Sequence, residues 1–156
     1  MSSMKTNTRS LRSRSPILAL AEFGEAPAGM PNESEKRPTA EDVLRRLRDH
    51  VLLEFLGLPL NDVNQRGHFG DRPIHIIAFR GDVADLRALI EGGADMNCQG
   101  DGDFTPLHNA VLHEQIDAVR FLLEMGADRQ ITNDDGMTAL ELARECGYSE
   151  IVKLFD

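Results

Sequence analysis

The spacing of apolar residues changes at about residue 39. From there to residue 56, apolar side chains recur at steps of three and four, and the charged side chains fall largely on the opposite side of a helical wheel. This spacing predicts one amphipathic helix of roughly 15–18 residues, which ends before Pro59 and has Thr39 and Asp42 in the positions of a capping box. The predicted apolar face consists of Val43, Leu44, Leu47, Val51, Leu52 and Phe55.

Beyond residue 61 the pattern repeats with a period of 33 residues. Asp62–Ala94 aligns with Asp95–Ala127 without a gap, and Asp128–Asp156 continues in the same register but is four residues shorter. A fixed period of this length indicates stacked units, none of which can bury its apolar face alone.

Each unit contains a polar turn, a short helix, a break and a second helix. The predicted helices, in chain order, are Pro73–Phe79, Val83–Ile90, Pro106–Leu112, Ile116–Leu123, Ala139–Glu145 and Ser149–Phe155. The break within each unit falls at Gly81, Glu114 or Gly147. Glycine in the segments "GGAD" and "MGAD" is predicted to end the first two second helices in the left-handed conformation.

Equivalent positions of the three units predict the buried seam between them. The inward sets are Ile74/Leu107/Leu140, Ala78/Val111/Arg144, Leu86/Val119/Val152 and Leu89/Leu122/Phe155, with a looser set at Ile77/Ala110/Ala143.

The motifs inside the period point to a known family. "TPLHNA" (Thr105–Ala110) has degenerate copies in "RPIHII" (Arg72–Ile77) and "TALELA" (Thr138–Ala143), and the units are joined by "GADMN" and "GADRQ". With its period and these motifs, the segment of residues 62–156 resembles the ankyrin repeat.

The resemblance implies an all-α, helix-turn-helix solenoid with hairpin-like fingers. Residues 62–94, 95–127 and 128–156 would be the repeats, and residues 39–61 a degenerate N-terminal capping helix. The function implied is protein binding through the finger tips and the inner helices.

The resemblance also implies roles for the motif residues. In the family pattern, Thr105 caps its helix and His108 bonds across to the neighbouring turn. His75 would do the same one repeat earlier, whereas Glu141 takes the place of histidine in the third repeat, so that the bond there must differ. We therefore expect a framework role for these residues, without catalysis, metal or cofactor.

Two positions depart from the repeat. Glu114 stands where Gly81 and Gly147 stand, and a residue other than glycine in a left-handed turn costs on the order of 1 kcal/mol. Asp103 stands where the other two fingers have glycine. Either a robust scaffold tolerates this drift, or the middle finger is reshaped for a particular partner.

Charge argues against nucleic acid and anionic membranes as partners. The net charge is −9, and residues 1–40 carry six basic and four acidic side chains, which leaves −11 on the rest of the chain. Such an acidic domain favours a partner with basic surface. No stretch approaches the ~18 consecutive apolar residues of a membrane span. The two cysteines form no disulfide framework, which favours a cytoplasmic location.

Residues 1–38 are polar and rich in serine, arginine and proline, which predicts a disordered basic tail. This tail is a targeting or secretion address, a basic arm that contacts an acidic surface, or a segment without function.

Once the framework positions are set aside, the finger tips and the outer ends of the first helices remain as candidate partner-binding residues. They are His68, Phe69, Asp71, Phe79, Arg80, Asp101, Phe104, Leu112, His113, Asp134, Asp135, Met137 and Glu145. The apolar members have no obvious framework role, and large apolar residues rimmed by acids are typical of an interface core. The alternative is that they pack against neighbouring fingers or under the tail.

The last helix raises the question of what covers the end of the stack. Ile151, Leu154 and Phe155 are expected near an open end. Either polar side chains such as Arg144 and Lys153 cover it, or it meets a partner or a second copy of the chain. We otherwise expect a monomer.

These observations predict a non-catalytic protein–protein interaction module whose partner carries basic and apolar surface. Size and resemblance suggest a bacterial immunity or regulatory protein. The alternative is a secreted, host-directed effector with residues 1–38 as its secretion address. An enzyme is the weakest candidate, because the repeats leave no acid/base or nucleophile–base pair outside framework positions.

Overall fold

Seven α-helices follow one another in residues 36–50 and 52–156, the part of the chain that the computed structural model describes. Two short 3₁₀ turns occupy Leu53–Phe55 and Asp101–Asp103. The tail predicted for residues 1–38 lies outside the described residues up to residue 35, and so does Val51 of the first predicted helix. The helices are Ala40–Asp49 (α1), Pro73–Arg80 (α2), Val83–Glu91 (α3), Pro106–Leu112 (α4), Ile116–Glu124 (α5), Ala139–Cys146 (α6) and Ser149–Leu154 (α7).

The predicted all-α architecture is confirmed. The six helices of the repeats start at the predicted residues and end within one residue of the prediction. In the described ranges the only extended pairing is an isolated bridge between Thr132 and Thr138.

The first helix starts as predicted but is shorter. Thr39 Oγ1 accepts the backbone N–H of Asp42 at 3.2 Å, and the Asp42 carboxylate accepts the N–H of Thr39 at 3.0 Å, which completes the capping box. The predicted length is wrong, because α1 has ten residues and ends at Asp49. Leu52 is extended (φ −83°, ψ 132°) and leads into the 3₁₀ turn that buries Phe55.

α1 packs against α3 and covers the first repeat. Val43, Leu44 and Leu47 are buried on its inner face. The Arg46 guanidinium donates two hydrogen bonds of 2.9 Å to the buried carboxylate of Asp85 on α3. This bidentate, charge-assisted pair holds the two helices in one register.

The predicted seam is buried in the first two repeats and only partly in the third. The first-repeat and second-repeat members of every inward set are at most 1% exposed. In the third repeat Leu140 and Val152 are half-buried and Arg144 is exposed. The inward prediction for Arg144 is wrong, because no further unit of the described chain packs on α6.

Left-handed turns join the two helices of each repeat. Gly81 and Gly147 have φ angles of 80° and 78°, and Glu114 has a φ of 56°. Glu114 therefore adopts the conformation of the glycines that it replaces. The predicted left-handed ends of α3 and α5 are also confirmed, at Gly93 (φ 100°) and Gly126 (φ 93°).

Candidate protein-binding surface

The Thr105–His108 motif has the predicted framework role. The His108 N–H donates to Thr105 Oγ1 at 3.3 Å, and His108 Nδ1 accepts the N–H of Thr105 at 3.2 Å. Because Nδ1 is an acceptor, Nε2 carries the proton and donates it to the carbonyl of Met137 in the next finger at 3.0 Å. Burial lowers the pKa of His108, so the neutral ring that makes these bonds is the favoured form.

His75 repeats this arrangement one unit earlier, as predicted. Its Nδ1 accepts the N–H of Arg72 at 2.9 Å, and its Nε2 lies 3.1 Å from the carbonyl oxygens of Cys98 and Phe104. Burial lowers its pKa, against an opposing effect of the Asp71 carboxylate. Both rings are thus fully committed to joining one repeat to the next.

Glu141 differs from the two histidines, as expected. Its carboxylate accepts a hydrogen bond of 3.0 Å from Thr138 Oγ1 at the start of its own helix. In residues 36–50 and 52–156, no group of three or more His, Cys, Asp and Glu side chains is arranged to hold a metal ion.

The three fingers are closed by the same backbone hydrogen bond. The first residue of each donates to the carbonyl of the fifth: Gly67 to Asp71 at 2.7 Å, Gly100 to Phe104 at 2.8 Å, and Asn133 to Met137 at 2.9 Å. In the middle finger Asp103 takes the left-handed conformation (φ 60°) that glycine has in the others, and Gly102 adds a second one (φ 64°). The departure at Asp103 therefore preserves finger closure and changes only the tip.

Neighbouring fingers are also bonded to one another. The second residue of each finger donates its backbone N–H to the preceding unit: His68 to the Glu54 carbonyl at 2.8 Å, Asp101 to Asp71 Oδ1 at 3.0 Å, and Asp134 to the Gly102 carbonyl at 3.0 Å. The finger tips consequently form one continuous edge, which begins at the 3₁₀ turn of residues 53–55.

Glu54 takes the place of a preceding finger, a role that the sequence did not reveal. Its buried carboxylate accepts the N–H of Phe69 at 3.2 Å and of Asp71 at 2.9 Å. A Cβ on Gly67 would overlap this carboxylate, so the close approach requires glycine there. Burial raises the pKa of Glu54, while the backbone hydrogen bonds act in the opposite direction. The helical spacing places Glu54 between Val43 and Leu47 on the apolar face predicted for the first helix, and it gives no signal of these hydrogen bonds, because their donors lie 15 and 17 residues away in the first finger.

Most of the candidate contact residues are exposed. The exposed ones are His68, Phe69, Phe79, Arg80, Asp101, Leu112, His113, Asp134, Asp135 and Glu145, and the half-buried ones are Asp71, Phe104 and Met137.

Phe104 and Met137 have framework contacts that the sequence did not indicate. Both side chains pack against the buried core, and the Phe104 ring lies 5.5 Å from the His108 ring. Both occupy the fifth position of a finger, whose carbonyl closes the hairpin. The prediction that they lack a framework role is therefore wrong.

The outer ends of the first two first helices each carry an exposed apolar side chain, Phe79 and Leu112. The rings of Phe79 and His113 lie 3.9 Å apart between centroids, and Phe79 is 49% exposed. Leu112 of α4, which is equivalent to Phe79 in the repeat, is 37% exposed. Gln115 Nε2 holds the turn in place by donating to the Phe79 carbonyl at 2.8 Å. We call Phe79, Leu112 and His113 the inner cluster.

A family model described as "Ankyrin repeats (3 copies)" matches residues 45–133 and again residues 74–155. The chain belongs to the ankyrin repeat family. Comparison with curated proteins finds no match. None of the described helices is both long and apolar enough to cross a membrane.

This ankyrin repeat protein exposes two further leucines beside the first finger. Leu53 is 72% exposed and Leu56 is 54% exposed, next to Phe69 at 64%. His68 Nε2 lies 2.8 Å from the Leu56 carbonyl, which ties the finger to this segment. The apolar spacing places Leu53 and Leu56 within or beside the predicted capping helix, so neither is among the predicted contact residues.

The last repeat has a more covered end than the sequence suggested. Ile151 is fully buried, Phe155 is 7% exposed and Leu154 is half-buried. Arg129 covers Phe155: its Nη1 donates to the Phe155 carbonyl at 2.7 Å, and its Cζ lies 5.8 Å from the ring centroid. Of the two alternatives for this end, cover by a polar side chain fits Ile151 and Phe155, although the side chain is Arg129 and not one of those expected. Beside them, the exposed Arg144 and the half-buried Leu140 line a groove of about 330 Å³.

Proposed function

We propose that this ankyrin repeat protein is a non-catalytic module that binds a partner protein carrying apolar and basic surface. The inner cluster supports this proposal most strongly, because large side chains that stand exposed on a hydrogen-bonded scaffold are typical anchors of an interface. His75 and His108 support the non-catalytic part, since both ring nitrogens of each already have structural partners.

The charge of the protein favours a basic partner. Asp101, Asp134 and Asp135 are exposed on the finger tips, and the whole chain carries a net charge of −9. Exposed charges of one sign mainly steer association and exclude partners of the same sign. Raising the ionic strength should therefore slow association more than it changes dissociation.

Within this class we propose an immunity or regulatory role, in which binding blocks the activity of the partner. Small size and family resemblance support this finer proposal. The alternative of a secreted effector depends on residues 1–38 as an address. The cysteines of the described part, buried Cys98 and exposed Cys146, are both free, which fits a cytoplasmic location. We propose a monomer.

The test compares a double variant of the inner cluster with a matched control. The partner is captured from native lysate on the full chain, identified by mass spectrometry, purified and titrated calorimetrically. Phe79→Ala with Leu112→Ala should weaken the affinity by about thirtyfold, equivalent to about 2 kcal/mol. Met125→Ala should leave it unchanged, because Met125 is also 37% exposed but follows α5, a second helix.

Arg87 is unsuitable as a control on the second helices, because its guanidinium lies 4.8 Å from the centre of the Phe121 ring. Equal affinities for the double variant and the wild type would refute the inner cluster as the binding surface. Inhibition of the purified partner's activity on complex formation would support the regulatory role, and an unchanged activity would contradict it.

A further inference from the structure

The finger edge changes its chemistry along its length. At its start, Leu53, Leu56 and Phe69 are all more than half exposed. We call these three residues the apolar end. Further along, the second and third fingers present a set of exposed carboxylates, which we call the acidic end: Asp101, Asp103, Asp134 and Asp135.

The apolar end is held by hydrogen bonds and is not a loose loop. The Phe69 N–H bonds to the Glu54 carboxylate, and both the backbone N–H and Nε2 of His68 contact carbonyls of the 53–56 segment at 2.8 Å. Three large side chains are thus displayed on one hydrogen-bonded platform. A platform of this kind loses little conformational entropy when a partner covers it.

The carboxylates of the acidic end form no ion pair within the described chain. No basic side chain of residues 36–50 or 52–156 lies within 4 Å of its carboxylates. Arg66 directly precedes the first finger, and its guanidinium lies against Gly70, where the first finger meets the second. A cationic group is therefore disfavoured beside the apolar end and favoured along the second and third fingers.

The bonds between fingers make these two ends one surface. Asp101 donates its N–H to Asp71 of the first finger, and Asp134 donates its N–H to Gly102 of the second, both at 3.0 Å. The apolar end therefore adjoins the acidic end without an intervening gap in the fold.

We infer that the finger edge binds one linear segment of the partner in which a block of apolar side chains adjoins a block of lysine and arginine. The apolar block covers Leu53, Leu56 and Phe69, and the basic block runs along the second and third fingers. This inference rests on the proposed function and names the partner chemistry that the edge selects. A second copy of the chain is a poor occupant, because two chains of net charge −9 repel each other.

The test uses peptides selected by the protein itself. The full chain is immobilised and panned with a displayed library of short random peptides, and enriched peptides are synthesised for fluorescence anisotropy. Enriched sequences should carry apolar residues in one half and lysine or arginine in the other. Enrichment of peptides without this segregation, or no enrichment at all, would overturn the inference.

Variants then map each half of the peptide. Leu53→Ala with Phe69→Ala should weaken the selected peptide by about tenfold or more. The pair Asp134→Asn with Asp135→Asn should weaken it by about three- to tenfold at low salt, and less at high salt. A peptide truncated to its basic half should keep its sensitivity to the aspartate variants and lose its sensitivity to the apolar ones. If the apolar half and the basic half of the peptide each respond to both pairs of variants, the two blocks do not bind to separate parts of the edge, and the inference falls.

The failure of this inference can be told apart from failure of the proposed function. If the native partner loses affinity on substitution of the inner cluster but not of Leu53 and Phe69 or Asp134 and Asp135, the binding module stands and the finger-edge inference falls. If neither set matters, both proposals fail.

Discussion

Replacing Glu114 by glycine should stabilise the protein, because the backbone at this position is left-handed. The φ of 56° costs a residue with a Cβ about 1–2 kcal/mol, whereas glycine adopts it freely. Glycine also gains entropy in the unfolded chain, which offsets about 0.5–1 kcal/mol of that relief. The net gain is therefore about 0.5–1 kcal/mol, or roughly 2–4 °C in melting temperature for a unit of this size.

Urea denaturation followed by circular dichroism measures this difference, with two controls. Glu114→Ala removes the same exposed side chain but keeps the Cβ, so it should stabilise little or not at all. Gly147→Ala introduces a Cβ at the equivalent turn of the third repeat, where φ is 78° and nothing lies within 4 Å of the added atom. It should destabilise by about 1 kcal/mol through backbone strain alone.

Two results would refute this reasoning. If Glu114→Ala stabilises as much as Glu114→Gly, the gain comes from removing a negative charge and not from relieving backbone strain. If Gly147→Ala is neutral, the left-handed turn tolerates a Cβ in this scaffold, and the conformational cost assigned to Glu114 is too high.

Two further predictions follow from the buried rings and the finger aromatics. Burial lowers the pKa of both His75 and His108 below their ordinary 6.5, so their contribution to stability is complete above pH 6.5 and is lost as the pH falls towards the lower folded-state pKa values. The melting temperature should therefore drop between pH 7.5 and 5.5. A melting temperature that does not change over this range would contradict neutral rings. Phe104→Ala should cost about 2 kcal/mol because the ring is half-buried against the core, while Phe69→Ala should cost under about 0.5 kcal/mol; urea melts with equal losses would place both rings in the same environment.

The repeat architecture could be predicted from sequence because its signals are local. Thr105 followed by Pro106 starts a helix by its own hydrogen bond, and Gly93 and Gly126 end helices by their backbone freedom. The threonine recurs at Thr138, the proline has its counterpart at Pro73, and the two glycines are 33 residues apart, so the units support one another. The helix bounds follow from this agreement, whereas the histidine contacts were implied by the resemblance to the ankyrin repeat.

Whether a finger residue is exposed or packed depends on its position within the finger. Closeness to the turn in sequence does not show this. Phe69 is the third residue of its finger and is exposed, whereas Phe104 is the fifth residue of the next finger and packs inward. Phe104 therefore aligns with Asp71 and Met137, not with Phe69. Closeness to the turn therefore does not distinguish the exposed Phe69 from the packed Phe104, which differ by two positions within the finger.

The length of α1 was overestimated because apolar spacing does not distinguish a helix from a helix followed by a turn. Val43 and Leu47 are buried residues of α1, whereas Phe55 is a buried residue of the 3₁₀ turn that follows extended Leu52. Both arrangements bring apolar side chains to the same side of the chain at intervals of three and four residues. The turn is fixed by its hydrogen bonds to the first finger, whose residues are distant from it in sequence and which the local apolar spacing therefore does not indicate.

Glu54 is the residue in this turn on which the first finger depends, and its substitution tests that dependence. Glu54→Ala removes the acceptor of the Phe69 and Asp71 N–H groups, which should cost about 1–3 kcal/mol and speed hydrogen exchange at these two amides. Glu54→Gln keeps an acceptor oxygen without the charge and should retain most of the protection.

Because burial raises the pKa of Glu54, the contribution of this shift to stability is largest below pH 4.5 and is lost as the pH rises through the folded-state pKa. The glutamine variant should lose this pH dependence as well.

The Met137 amide of the third finger is the internal control for the exchange measurement, because its acceptor is Asn133 Oδ1 and not Glu54. Unchanged exchange at Phe69 and Asp71 in Glu54→Ala would show that the first finger is held by its own closing bond from Gly67 to Asp71, and the apolar end of the finger edge would then need no support from the 3₁₀ turn.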